Sequence, residues 1–446
     1  MQPTEPTFTP EEAVAHWPGG RPLAALVTGS ADARWGRWSV LADPSRAVAA
    51  RTHADALRAI EDASSDGGTW IVALAYELGA AFEPRALPRG RMPDDGWPLA
   101  LLVRCGDAIV HDHAAGRWRA DGPGGASLLA EVADRAARGE RDGAEARIES
   151  LEADVPRAEF ERMVAEAVEF VRAGDVFQAN VAQRFTARWH GSPRAVLRAA
   201  LRAARPRYGA YLEHGAHALV GMSPELFVDM DRAAGTATSR PIKGTRAFHE
   251  DPAELVASGK DAAELHMIVD LMRNDLGRAA AAGGVEVRVP REVESHETVH
   301  HCVAEVHARL RPGTSPLDLL RASFPPGSVT GAPKVRAMQV IDALEPCARG
   351  MYCGAVGILS PARMELNVAI RTMMLARGAR GAPGTLRYSA GCGIVAESDP
   401  RGEYEESIHK AAVLVRTAHA LSGAGAPRAS GSTAPPAPRP SAGGRG

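Results

Sequence analysis

Hydrophobic positions recur with two different periods along the chain. From Arg157 to Ala173 the apolar residues Phe160, Met163, Val164, Ala167, Val168 and Val171 keep the spacing of one helical face, and Gly174 closes it. Lys260 to Ala280 repeats this spacing through Leu265, Ile268, Val269 and Met272, and Tyr404 to Leu421 reads as a closing helix. Residues 21 to about 120 hold short apolar runs instead, such as Trp70 to Tyr76, broken by Gly and Pro. These predict strands with long connections. Val176 to Trp189, Val299 to Leu310, Met351 to Leu359, Leu366 to Met374 and Leu386 to Val395 also read as strands. Strands come in runs rather than alternating with helices. That order predicts an α+β fold with antiparallel sheets and disfavours a doubly wound parallel one.

Four regions follow. Residues 1–20 read as a loose start, 21–150 as an N-terminal subdomain, 151–421 as the densely patterned catalytic part, and 422–446 as a tail. The tail has almost no apolar residues, so it is expected to be disordered. Nothing approaches the roughly 18 consecutive apolar residues of a membrane span. The acidic N-terminus lacks a basic-then-apolar leader pattern, so a cytoplasmic protein is expected. Five cysteines, an odd number with no Cys-x-x-Cys pair, fit a reducing compartment rather than a disulfide framework or zinc site. A net charge of -2 argues against a nucleic-acid or anionic-membrane surface as the main business.

Charge usage changes the picture at one point. Of 52 basic residues only Lys243, Lys260, Lys334 and Lys410 are lysine. Each invites the question of what an amine does there that a guanidinium cannot. Lys243, between Ile242 and Gly244, has the neighbours of a cleft lysine that desolvation could convert to a nucleophile. Asp261 and Glu264 are three apart on one predicted helix, Glu403 and Glu406 three apart on another, so each pair shares a face. Facing each other, the two pairs would suit Mg²⁺, which takes a few carboxylates and keeps water and substrate as further ligands. Lys410 follows Glu406 by four, the spacing of a helical ion pair. The turn Phe324 to Lys334 offers backbone N–H groups to an anion but lacks the Gly-Lys-Ser/Thr ending of a phosphate-binding P-loop. Gly391 and Gly393 flank Cys392 and permit close backbone approach. Arg371 could clamp a carboxylate. Of His300 and His301, strand alternation lets only one face a site.

In their order and wording these segments resemble the chorismate-utilising enzymes, the family that includes anthranilate, aminodeoxychorismate, isochorismate and salicylate synthases. The resembling text is Phe177–Phe185, Ser223–Phe227, Arg240–Arg246, Met267–Asp275, Gly327–Lys334, Arg349–Tyr352, and Gly391–Val395 with Glu403–Glu406. It runs densely over residues 155 to 420 and loosely over 25 to 105. The resemblance implies two large antiparallel β-sheets packed face to face with helices outside, and a Mg²⁺-dependent cleft between them. It implies that Glu264 and Glu406 ligate Mg²⁺ directly, and Asp261 and Glu403 through water. Thr330, Tyr352, Arg371, the backbone of Gly391, Cys392 and Gly393, and Lys410 would hold the carboxylates of chorismate. His301 would lie near the ring carboxylate and the departing hydroxyl.

Two positions divide the family's branches. Water-adding members carry a lysine base where this chain has Gln178, and anthranilate-forming members typically carry alanine where it has Lys243. Lys243, with Asn180, looks like the branch that makes 4-amino-4-deoxychorismate. The implied roles are Lys243 as nucleophile and Glu225 as proton donor. Ammonia would come from a separate glutamine amidotransferase subunit. The tryptophan-feedback Leu-Leu-Glu-Ser segment is absent, and Ser30, Pro206 and Tyr208 are the candidates for a remnant amino-acid pocket.

Overall fold

The computed structural model describes residues 7–29, 35–94, 96–143, 145–149, 151–296, 299–379 and 382–422. All strand pairs given for these residues are antiparallel. One sheet runs from Ala100–Asp112 through Trp38–Ala50, Ala24–Val27, Tyr208–His214, His217–Ser223, Thr372–Ala376 and Gly384–Ile394 to Gln178–Gly191. The other runs from Ala280–Ser295 through Val299–Leu310, Thr236–Arg240, Leu226–Asp231, Arg363–Val368 and Ala355–Leu359 to Trp70–Leu74. The first part of Ala100–Asp112 pairs with Trp70–Leu74 and so joins the two sheets. The fold is α+β with large antiparallel sheets and outer helices, as the element order predicts.

Alternation along the strands builds the layers. Ala210, Leu212 and Leu219 join the largest core, with Trp70, Leu74 and Tyr352. Their neighbours Tyr211, Val220 and Met222 face the other way, onto helices Pro193–Ala204 and Ala412–Ser422. Strands Ala24–Val27 and Trp70–Leu74, from the first third of the chain, pair with Tyr208–His214 and Ala355–Leu359. The chain is therefore interleaved rather than built of separable blocks.

Several predicted boundaries shift. Residues 1–20 are not loose throughout: Pro10–His16 is a helix opened by a Thr9/Glu12 capping box and anchored by Ala13, Val14 and Trp17. The expected Leu366–Met374 strand is two, because Arg371 takes a left-handed φ of 52° between them. Met351–Leu359 is a strand only from Ala355, since Cys353 also has a positive φ. The closing helix is two helices, Pro400–Lys410 and Ala412–Ser422. The expected disordered tail lies outside the described residues, apart from Ser422 at the end of the last helix. All five cysteines are free, and no helix among the described residues is long and apolar enough to cross a membrane.

Candidate active site

Lys243 sits where the strand Ile242–Ala247 slips register against Val299–Leu310, between the Ile242 and Thr245 pairings. Gly244, at φ 86°, supplies the left-handed backbone this slip needs. Burial lowers the proton affinity of Lys243 and the Lys410 ammonium adds to this, while Glu264, Glu225 and Glu406 pull the other way. Those four partners come from three separate segments, so the amine stands where they converge.

Glu225 follows the strand His217–Ser223 and is held by its own backbone, with its N–H donating to Ser223 Oγ at 3.2 Å. Burial pushes its carboxyl up to about 7, while hydrogen bonds from Ser328 and the Ile242 N–H, and the nearby Lys243 and Arg371, act against that shift. A carboxyl so poised is able to give and take a proton near neutral pH.

Gln178 opens the strand Gln178–Gly191 and is fully buried, yet neither end of its amide has a hydrogen-bond partner among the described residues. A methyl on Gly393 would stand 2.5 Å from the Gln178 amide nitrogen and 3.3 Å from Lys243 Nζ. Gly393 therefore admits the two side chains against its backbone. Gly391 serves the packing of its own sheet, since a methyl there would meet the Val181 carbonyl at 2.7 Å. Cys392 packs its thiol against Phe160 and Met163 and onto the Glu403 carbonyl at 3.3 Å, which leaves the sulfur beside the Glu403 and Glu406 carboxylates.

The two acidic pairs sit on helices Gly259–Gly277 and Pro400–Lys410. Glu403 is buried and receives the Ser398 hydroxyl at 2.7 Å. Glu406 carries Lys410 at 2.7 Å, and Lys410 also donates to the Gly391 carbonyl at 2.9 Å. Asp261 pairs with Arg246 at 3.1 Å. Glu403, Glu406 and Cys392 each bring one ligand atom within 4.8 Å of the others, and Glu264 and Glu406 both act on Lys243. The candidate ligand group among the described residues is therefore Cys392 with Glu403 and Glu406, and Asp261 and Glu264 of the other helix are not part of it.

The other expected ligand-binding residues are placed less uniformly. Arg371 makes no ion pair among the described residues, and burial lowers its proton affinity, offset by Tyr388 and Glu225 nearby. Thr330 is fully buried and its hydroxyl donates to the Pro326 and Gly327 carbonyls, each at 3.2 Å. Its side chain shapes the turn. Tyr352 is buried, and burial raises its hydroxyl well above the ordinary tyrosine value. His301 is buried beside Thr245, its Nδ1 2.9 Å from Oγ1, and burial holds it well below the ordinary histidine value. His300 faces the other way, stacked on Phe248. Ser30 lies outside the described residues, while Pro206 accepts the Gly29 N–H at 2.8 Å and Tyr208 packs with Trp35 and Leu226.

Lys334 serves the fold rather than the site, with its ammonium donating to Asp275 at 2.6 Å and to the Ser323 and Pro325 carbonyls at 2.5 and 2.8 Å. A buried pair, Arg349 with the Glu345 that no motif announces, stands behind Tyr352. Its two bonds are 2.6 and 2.9 Å, and Arg349 reaches on to the Asn180 and Val329 carbonyls at 2.6 and 3.0 Å. Glu345 accepts the Ala182 N–H at 2.9 Å. Arg349 opens the Arg349–Tyr352 motif, and its spacing of four from Glu345 is the signal the sequence holds for the pair.

Comparison with known proteins agrees with this arrangement. The family profile described as chorismate binding enzyme matches residues 21–416. Aminodeoxychorismate synthase component 1 of Klebsiella aerogenes is 42% identical over 266 residues, 58% of this chain and 57% of that protein. Anthranilate synthase component 1 of Thermus thermophilus is 36% identical over 394 residues, 84% of this chain and 82% of that one. The crystal structure of anthranilate synthase component I from Streptococcus pneumoniae superimposes with a TM-score of 0.71 at 28% identity, covering 85% of this chain and 92% of that one. The chain spans about half the length of the aminodeoxychorismate synthases it matches. With the profile spanning nearly all the described residues and the fold shared, the chain belongs to the chorismate binding enzyme family.

Proposed function

We propose that this protein aminates chorismate at C4, acting as the synthase component of an aminodeoxychorismate synthase. The observation that carries the reading is a half-buried lysine of lowered proton affinity coupled to a carboxyl pushed up to about 7. In this reading the neutral Lys243 amine attacks C2 of chorismate. The C4 hydroxyl leaves as water, taking a proton from Glu225, which the lysine nitrogen then restores. Ammonia attacks C4, the C2–lysine bond breaks, and 4-amino-4-deoxychorismate departs. Arg371 and Tyr352 hold the carboxylates, and His301 lies beside the departing hydroxyl. Gln178 cannot accept a proton, which disfavours water as the nucleophile.

Mg²⁺, held by Glu264 and Glu406 with Asp261 and Glu403 behind them, would bind the ring carboxylate and raise the electrophilicity of the ring. The nitrogen source is a partner glutamine amidotransferase. The setting is p-aminobenzoate or folate biosynthesis, or a related route, in the cytoplasm.

Anthranilate is the competing product, and the long alignment with the Thermus protein favours it. Incubation with chorismate, Mg²⁺ and an ammonium salt separates the two. The expected product is 4-amino-4-deoxychorismate, seen by mass and converted to p-aminobenzoate when a lyase is added. Anthranilate fluorescence without a lyase would overturn the assignment.

A further inference from the structure

The strand Trp70–Leu74 ends in a short 3-10 helix, Tyr76–Ala81, whose first two residues meet the segment Arg349–Gly350. Tyr76 donates its N–H to the Gly350 carbonyl at 2.8 Å. Glu77, only 4% exposed, accepts the Arg349 N–H at 2.7 Å and the Gly350 N–H at 3.3 and 3.1 Å on its two oxygens. The Arg349 guanidinium then lies 4.6 Å over the Tyr76 ring and bonds the Asn180 and Val329 carbonyls. Asn180 is two residues from Gln178, Val329 precedes Thr330, and Tyr352 is two residues beyond Gly350. One carboxylate from the first third of the chain thus grips a backbone turn tied to three walls of the site.

We propose that Glu77 is a positioning residue for chorismate binding: its carboxylate fixes the Arg349–Gly350 turn and, through Arg349, the placement of Tyr352, the Gln178–Asn180 strand start and the Thr330 turn. This rests on the reading that these walls face chorismate. Glu77 Oε1 accepts both N–H groups and Oε2 accepts that of Gly350 as well, whereas glutamine would replace one of these oxygens with an NH2 that donates toward the same turn. Burial makes a donor facing a donor costly, because neither group is open to bulk solvent.

The test is chorismate binding by calorimetry with Mg²⁺ present, on wild type, Glu77→Gln and Glu77→Asp, with circular dichroism as the check on folding. Expected is a Kd roughly tenfold weaker in both variants, the effect of about one lost hydrogen bond. Hydrogen exchange should be faster in the peptide spanning residues 345–353, and kcat with saturating chorismate and ammonium should stay within about threefold. A folded Glu77→Gln that binds chorismate as the wild type does would overturn the proposal. Unfolding of both variants would also overturn it, assigning Glu77 to folding instead. Failure of the wild type itself to bind chorismate is a different result, which removes the underlying site reading.

Discussion

At Lys243 two requirements meet that usually conflict. In the proposed route the residue must be an amine and must lose its proton, a change that desolvation favours at a cost to the fold. Lys243→Ala and Lys243→Arg are both expected to lower formation of the 4-amino product by at least about 10³-fold, since a guanidinium stays protonated. A wild-type rate in the alanine variant would refute the covalent route. Glu225 predicts the pH dependence. As the acid it must be protonated, so kcat should fall as pH rises through about 7, and Glu225→Gln should be slow at every pH, by roughly 10²- to 10⁴-fold. Stability carries the opposite sign to the usual carboxylate. The folded-state value of about 7 lies above the ordinary 4.5, so the native state binds more protons in that window and loses stability as pH rises through it. Glu225→Gln, which never ionises, should therefore melt higher than the wild type at pH 8, and the gap should shrink toward pH 5.

Elements decide how these side chains are delivered, and here the reading of the sequence divides cleanly. Helical stripes are legible because one face is buried and the other is not, as at Phe160, Met163 and Val164. Breaks inside apolar runs are not. Leu366–Met374 looks continuous, yet Arg371 bends it with a positive φ that only three non-glycine described residues share. Lys243 and Glu225 are legible through their motifs, whereas Glu77 is not, because its partners are backbone N–H groups some 270 positions away. Two predictions belong to this scale. Gly393→Ala should abolish turnover while leaving the melting point within a few degrees, because the methyl meets the Gln178 amide and Lys243. Arg349→Met, which strands a buried Glu345, should cost about 3–5 kcal/mol in denaturant unfolding. An unchanged midpoint would show that pair to be idle.

For the whole molecule, both sheets draw strands from distant parts of the chain, so residues 151–422 expressed alone leave Tyr208–His214 and Ala355–Leu359 each without one of its two neighbouring strands. That fragment is expected to be insoluble or to lack a cooperative melt, and co-expression with residues 1–150 should restore it if anything does. Chelation by EDTA is expected to stop chorismate consumption, with Mg²⁺ restoring it and the melting point moving little, since three of the four acidic residues, Asp261, Glu406 and Glu403, already have Arg246, Lys410 and Ser398 as partners. The strand Trp70–Leu74 illustrates what interleaving means during synthesis. It leaves the ribosome about 280 residues before Ala355–Leu359, with which it shares five register pairs. At roughly 5–20 residues per second that is about 15 to 60 seconds in which an apolar strand has one edge unpaired in a growing chain. Translation speed across the middle of the message, and the chaperones available during that interval, therefore become determinants of yield that no substitution in the finished active site would reveal.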